Sequence, residues 1–66
     1  MDREKLSVAD RLIEARGDKP RADVAKAVGI SLSALSMYET GQRIPRDEIK
    51  RRLATFYDKP IQDLFF

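Results

Sequence analysis

Apolar residues recur at helical spacing along most of the chain, which predicts an all-α fold. Val24, Ala25 and Val28 fall at i, i+1 and i+4 and form one apolar stripe on a short helix in the middle of the sequence. Leu35 and Tyr38, three residues apart, supply the inward face of a second short helix that follows it. The pattern therefore predicts two short helices joined by a tight turn.

The residues of this turn have the chemistry that a sharp connection needs. Gly29 follows the first of the two helices, where a left-handed residue is required and a residue without Cβ is least strained. Ser31 lies at the N-cap position of the next helix, where its hydroxyl accepts a backbone N–H. Ile30 and Leu35 flank this cap with the spacing of a hydrophobic staple. Ala25 is small, as two helices that cross steeply after so short a turn require.

A first helix is predicted from Val8 to Arg16, before the central pair. Ser7 and Asp10 have the spacing of a capping box at its start. Residues 1–6 alternate in charge without an apolar anchor, so we expect them to fray. The inward face of this helix, which we expect to pack against the second and fourth helices, comprises Ala9, Leu12, Ile13 and Arg16.

Two more helices are predicted after the loop at 41–45. The fourth helix runs from Arg46 to Tyr57, and the fifth is a short helix after Pro60. The inward faces of these two helices are predicted to contain Ile49, Leu53, Phe56, Ile61 and Leu64, with Phe65 as a further candidate for the core. Pro20 precedes the second helix in the same way, and we expect that helix to be capped at Asp18 or Lys19.

Composition narrows the class of protein. The 66 residues are enough for one domain with a small core, so residues 1–66 are assigned to a single domain. The chain has no cysteine and no histidine, which excludes disulfides, the usual zinc fingers and histidine-based catalysis. Its charged N-terminus is unlike a signal peptide and no run is long enough to span a membrane. We therefore expect a cytoplasmic protein that is not an enzyme.

Positive charge is concentrated in the middle of the chain. The net charge of the whole chain is only +2, but residues 19–52 contain eight Lys or Arg residues against four Asp or Glu residues. A surface that faces phosphates needs such an excess. Without a motif, an ordinary solvated surface explains the same excess equally well.

The segment 31–45 supplies that motif. It reads Ser-Leu-Ser-Ala-Leu-Ser-Met-Tyr-Glu-Thr-Gly-Gln-Arg-Ile-Pro, and an Ala with a Gly four residues later precedes it at Ala25 and Gly29. The chain thereby resembles the Cro and phage-repressor (XRE-type) family of helix-turn-helix proteins, over about residues 8 to 65. The resemblance implies a compact five-helix, lambda-repressor-like domain whose second and third helices form the helix-turn-helix. It also implies sequence-specific binding of double-stranded DNA by a transcriptional repressor or regulator of phage or mobile-element type.

In this family the second helix of the motif, here about residues 32–40, enters the major groove. The positions that match base-contacting sites are Leu32, Ser33, Ser36, Met37 and Thr40. Serine reads several base edges and discriminates weakly, whereas Leu32 and Met37 can contact thymine methyl groups. The alternatives are that the serines are merely capping or solvent-exposed, and that the two apolar residues pack on neighbours or on a partner protein.

The resemblance also assigns phosphate contacts and a structural brace. The residues expected to contact phosphates are Lys19, Arg21, Gln42, Arg43 and Arg46. The alternative for any one of them is an ordinary place on the solvated surface. The family commonly has Gln where this chain has Arg21. Arginine can make the phosphate contact as a charged donor, but it cannot reproduce the pairing that the Gln amide makes with the recognition helix. Arg16 and Glu39 match a brace under the recognition helix, provided that the loop after the first helix is two residues shorter than usual. Otherwise Glu14 occupies the matching position.

Two expectations concern partners. A homodimer is expected through the C-terminal helix, because Phe65 and Phe66 cannot both face the core once Ile61 and Leu64 do, and one of the two is left for a partner. The alternative is that the C-terminal tail folds back over the first helix. An interaction module, such as an antitoxin that binds a partner protein, is the alternative to DNA binding. Its evidence is the outward apolar pair Leu32 and Met37, together with Phe65 and Phe66 at the end of the chain. Neither a cofactor nor a small-molecule ligand is expected.

Overall fold

Five helices and their connections make up the part of the chain that the computed structural model describes, residues 7–66. The helices are α1 (Val8–Arg16), α2 (Arg21–Val28), α3 (Leu32–Glu39), α4 (Asp47–Tyr57) and α5 (Ile61–Phe65). No strand occurs within this range. The predicted all-α, five-helix architecture is thus confirmed, and the predicted fraying of residues 1–6 lies outside the described residues. None of the helices described is long and apolar enough to cross a membrane.

The predicted side-chain caps are present at two helix starts. Asp10 donates its backbone N–H to Ser7 Oγ at 3.1 Å, and Ser7 donates its own to the Asp10 carboxylate at 3.4 Å, which completes the capping box of α1. At α3, Ser31 Oγ accepts the backbone N–H of Ala34 at 3.0 Å. Each cap satisfies a backbone donor that the helix itself leaves without an acceptor.

Other helix starts differ from the prediction. The N-cap of α2 is Pro20, with no side-chain hydrogen bond, so the prediction of Asp18 or Lys19 was wrong. The proline has φ −62° and ψ 140°. The ring fixes φ near this value, which suits the extended conformation of a cap residue. The fourth helix begins one residue later than predicted, because Arg46 is extended and serves as its N-cap.

The turn between α2 and α3 has the predicted geometry. Gly29 is left-handed, with φ 85° and ψ 35°. The backbone N–H groups of Gly29 and Ile30 both donate to the carbonyl of Ala25 at 2.9 Å, which closes the end of α2. Ala25 itself is only 3% exposed. The small residue therefore lies inside the core, at the end of α2 that turns towards α3.

The helices enclose one core, in which α3 is in contact with both α1 and α2. Helix α4 packs against α2 and α5, and α5 packs back against α1. The buried apolar residues are Leu12, Val24, Ala25, Val28, Leu35, Tyr38, Leu53, Ala54, Leu64 and Phe65.

Two predicted faces are rotated. The first helix packs mainly on α3 and α5 instead of the second and fourth helices, and its inward stripe runs through Val8, Leu12 and Ala15 while Ile13 is 41% exposed. Because α5 folds back over α1, this stripe is the one that is buried. In α4 the stripe continues from Leu53 to half-buried Tyr57, and Phe56 is exposed.

Arg52 joins α4 to the end of α2. Its Nη2 donates to Glu48 Oε2 at 2.7 Å within α4, and its Nη1 donates to the carbonyl of Val28 at 3.4 Å. A cation is favoured at the C-terminal end of a helix by the helix dipole and by the carbonyls left without partners. This contact fixes the end of α2 just before the turn into α3.

Candidate nucleic-acid interface

The outer face of α3 carries most of the side chains that the sequence predicted to contact bases. Leu32 is 50% exposed, Ser33 is exposed, and Ser36 and Met37 are half-buried. The other three follow Leu32 by one, four and five residues, so all four side chains share one side of the helix. Leu35 and Tyr38 lie buried on the opposite side. The helix is therefore held by one face and presents the other to solvent.

Thr40 differs from the other four predicted base-contacting residues, because α3 ends at Glu39 and Thr40 is its C-cap. The predicted helix was one residue too long. The Thr40 hydroxyl donates to the carbonyl of Ser36 at 2.9 Å and accepts from Gln42 Nε2, also at 2.9 Å. The hydroxyl proton is thus committed within the chain, and only acceptor capacity remains on Thr40.

Gln42 is held in place by the end of α3. Its side chain donates to Thr40, and its backbone N–H donates to the carbonyl of Met37 at 3.0 Å. Gly41, with φ 77°, supplies the left-handed residue that this helix ending needs. The amide oxygen and the second N–H of Gln42 stay available at a fixed place beside α3.

Three of the predicted phosphate ligands are exposed cations. Lys19, Arg43 and Arg46 make no side-chain hydrogen bond or ion pair with any residue in the range 7–66. Pro45 is buried between Arg43 and Arg46 and fixes the loop that carries them. These cations can bind an anion without breaking an existing contact.

Glu39, the last residue of α3, accepts hydrogen bonds from two arginines. Arg16 Nε lies 2.9 Å from Glu39 Oε2, and Arg21 Nε lies 2.8 Å from Glu39 Oε1. The Glu39 side chain is fully buried. Arg16 also donates from Nη1 to the carbonyl of Lys19 at 2.9 Å. The ion cluster formed by Arg16, Arg21 and Glu39 therefore links α1, α2 and α3.

The ion cluster contains more than the sequence predicted. The Arg16–Glu39 pair matches the brace that the resemblance implied, and its hydrogen bond is the main cause that raises the pKa of Arg16. The contact of Arg21 with the second Glu39 oxygen was not predicted. The family commonly has Gln at this position, so the resemblance implied no contact between an arginine there and Glu39. The only sequence signal was the departure itself, a cation where an amide is common.

Tyr57 lies next to the ion cluster and carries no charge at neutral pH. Its hydroxyl is buried and makes no hydrogen bond with the described residues. Burial, and to a lesser extent the negative charge of Glu39, raise the pKa of Tyr57 to about 12 against the opposing effect of Arg16. The ionic balance of the cluster thus rests on two arginines and one carboxylate.

These features define a class of protein. Two short helices crossing at a glycine turn, with the second presenting its outer face beside unpaired arginines, are the elements of a helix-turn-helix domain. A helix-turn-helix family model matches residues 11–64. The chain belongs to this family, the XRE-type domains related to Cro and CI, whose members bind DNA and generally regulate transcription. Neither the comparison with curated proteins nor that with solved structures gave a match.

Proposed function

We propose that this protein is a sequence-specific DNA-binding repressor of phage or mobile-element type that inserts α3 into the major groove of double-stranded DNA. The observation that supports this most is the arrangement of α3, whose outer face is open while Arg43 and Arg46 stand unpaired just after it. A helix of this width fits the major groove, and cations beside it meet the phosphates on the groove's edge. The DNA partner implies a cytoplasmic site of action in a prokaryotic cell.

Base reading is assigned to the outer face of α3. Its members are Leu32, Ser33, Ser36 and Met37, and Thr40 adjoins them at the C-cap of the helix. Leu32 and Met37 contact thymine methyl groups, and the two serines exchange hydrogen bonds with neighbouring base edges. Thr40 serves mainly to hold Gln42, since its hydroxyl proton is already donated to Ser36.

Phosphate contacts are assigned to the residues around α3. They are Lys19, Arg21, Gln42, Arg43 and Arg46. Such contacts fix the orientation of the protein on the duplex and supply sequence-independent affinity. Catalysis, a cofactor and a small-molecule ligand are no part of the proposal, because the family consists of DNA-binding regulators.

DNA affinity is expected to depend steeply on salt. Neutralising about four to six phosphates gives a slope of about −4 to −5 in a plot of log affinity against log salt concentration. Arg43→Ala is expected to weaken binding to all sequences alike and to flatten that slope by about one unit. Lys59→Ala, which removes a cation from the connection between α4 and α5, is the control and should leave the slope unchanged. An affinity indifferent to salt between ~50 and ~200 mM would rule the proposal out.

Thymine methyl groups are expected to carry part of the sequence preference. Replacing thymine by uracil at a contacted position removes only a methyl group, worth ~0.8 kcal/mol or about fourfold in affinity. We expect this loss at one or two positions in each half-site. The loss should vanish in Leu32→Ala or Met37→Ala, while Ser33→Ala keeps it. If uracil at every thymine position left the affinity unchanged, the apolar contacts with thymine methyl groups would be contradicted.

A dimer on DNA is proposed because one recognition helix covers few base pairs. The dimer contact narrows to one aromatic residue, because Phe65, named with Phe66 for this surface, is buried at 7% exposure and belongs to the core. Phe66 remains available, with 76% of its surface exposed and Lys50 Nζ 5.2 Å from its ring centre. We therefore assign the contact between two-fold related copies to Phe66.

Sedimentation on a selected site tests this dimer. Wild type should bind as two copies on half-sites about 34 Å apart, and Phe66→Ser should need a higher protein concentration to fill the same site. Ile13→Ser removes another exposed apolar residue, on α1, and should have no such effect. One protein per site with an affinity indifferent to Phe66→Ser would contradict the dimer.

The alternative function is binding to a partner protein, as in an antitoxin. The 50% exposure of Leu32 supports it, since an exposed leucine also suits a protein interface. Retention on heparin followed by release in moderate salt distinguishes the two functions, because an apolar protein-binding surface would not be retained.

A further inference from the structure

The two arginines bound to Glu39 differ in what they leave free. Arg16 is 15% exposed in its side chain and uses both Nε, on Glu39, and Nη1, on the carbonyl of Lys19. Arg21 is 43% exposed and uses only Nε. A guanidinium has five N–H donors in one plane. The four N–H donors on the two Nη atoms of Arg21 therefore have no acceptor among residues 7–66, and they are available to a bound ligand.

Glu39 determines where those donors are. One buried carboxylate oxygen holds Arg21 Nε at 2.8 Å, and this contact fixes the guanidinium plane instead of leaving a long side chain to sample many rotamers. Arg21 is also the first residue of α2, where Pro20 supplies no side-chain cap. The backbone N–H groups of Arg21 and Ala22 have no acceptor among residues 7–66, whereas that of Asp23 donates to the carbonyl of Pro20 at 3.1 Å. The two N–H groups without an acceptor add to the positive potential at the same place.

The charges of the ion cluster leave one positive charge without a counterion. Glu39 carries one negative charge and the two arginines carry two positive charges. Arg16, the more buried of the two arginines, needs the carboxylate most. The unbalanced charge is thus on Arg21, at the solvent side. A phosphate diester with a single negative charge would complete the balance and accept two parallel N–H bonds.

We propose that Glu39 is a positioning residue that holds Arg21 for a bidentate contact with one DNA phosphate. This inference rests on the proposed DNA binding and adds how one contact is made. Glu39 is the last residue of α3, so the phosphate contact from α2 is fixed directly to the helix that reads bases. The register of the backbone contact and that of the base contacts are then set by one side chain.

The test uses the conservative variant Arg21→Lys with the full chain. Lysine keeps the charge, but its single ammonium cannot donate to Glu39 and also make a bidentate contact with a phosphate. We expect roughly tenfold weaker binding to a selected duplex, although the charge is retained. Arg51→Lys is the matched control: Arg51 is an exposed arginine on α4, and its replacement should leave the affinity unchanged.

A scan of the DNA backbone gives the second readout. Each phosphate of the duplex is replaced in turn by a neutral methylphosphonate. Wild type should lose about tenfold at one phosphate that Arg21→Lys no longer senses. Arg21→Gln, which can still donate to Glu39 but has no charge, should flatten the salt slope by about one unit and lose sensitivity to the same phosphate. Thermal melting of each variant shows that the binding is measured on folded protein.

The opposing outcomes are distinct. Arg21→Lys binding as tightly as wild type, or sensing the same phosphate to the same degree, would overturn the positioning role while leaving DNA binding intact. Wild type that fails to bind any duplex would instead overturn the proposed function. If Arg21→Lys fails to fold, the folded Arg21→Gln variant decides: unchanged sensitivity to every phosphate overturns the inference.

Discussion

Replacing Glu39 by glutamine is expected to lower the free energy of unfolding by about 3 kcal/mol. The amide has almost the same volume, but it offers one acceptor oxygen to two arginines and turns an N–H group towards the other. Arg16, with only 15% of its side chain exposed, then has no charge partner. The estimate is at the low end for a broken buried pair, because Arg21 is 43% exposed and water can replace part of its contact.

Urea or thermal unfolding followed by circular dichroism measures this loss. A domain of this size has only about 5 kcal/mol or little more in total, so the midpoint should fall far enough to be unmistakable. Asp18→Asn is the matched control, since Asp18 is an exposed carboxylate before α2 and makes no contact that depends on its charge among residues 7–66. Equal stability of Glu39→Gln and wild type would mean that the ion cluster does not hold the three helices together.

Replacing Ala25 by leucine is expected to cost about 1–3 kcal/mol or more, because a larger side chain must fit into a packed crossing. Ala25 is 3% exposed, on the helix that packs against both α3 and α4. Its carbonyl also accepts the two N–H groups that close α2, so a shift of the backbone there disturbs the turn as well. The variant should bind DNA poorly even where it remains folded, since the angle of α3 depends on this contact.

Thermal melting and DNA binding of Ala25→Leu give the check, with Ala22→Leu as control. Ala22 lies on the same helix but is exposed, so its enlargement should change the melting temperature little. A fully stable Ala25→Leu would contradict the assignment of Ala25 to the crossing of α2 and α3.

Local sequence signals predicted the helix-turn-helix well. Gly29 and Ser31 act on their own neighbours, through the left-handed turn and a cap bond to Ala34, so no knowledge of the distant chain is needed. The inward faces of α1 and α4 were predicted less well. Whether Phe56 or Tyr57 is covered depends on which helices pack against α4, and spacing alone does not contain that information.

In the candidate site, too, local features were predicted from the sequence and contacts between distant parts of the chain were not. The outward residues of α3 follow from helical periodicity once Leu35 and Tyr38 are known to face inward. The link between Thr40 and Gln42 was missed, because it forms only when the helix ends at Glu39. The Arg21 contact was missed for a related reason: Glu39 has a second oxygen, and only the three-dimensional arrangement brings α2 to it.

Reading of a DNA sequence by α3 in the major groove is the step on which the proposed function depends. Repeated selection of duplexes from a random pool by the purified protein, at about 0.15 M salt where nonspecific phosphate binding is weak, tests it most directly. We expect enrichment of one sequence with thymines at fixed positions, arranged as two half-sites about one helical turn apart. A pool that stays random after several rounds with folded wild-type protein would contradict it.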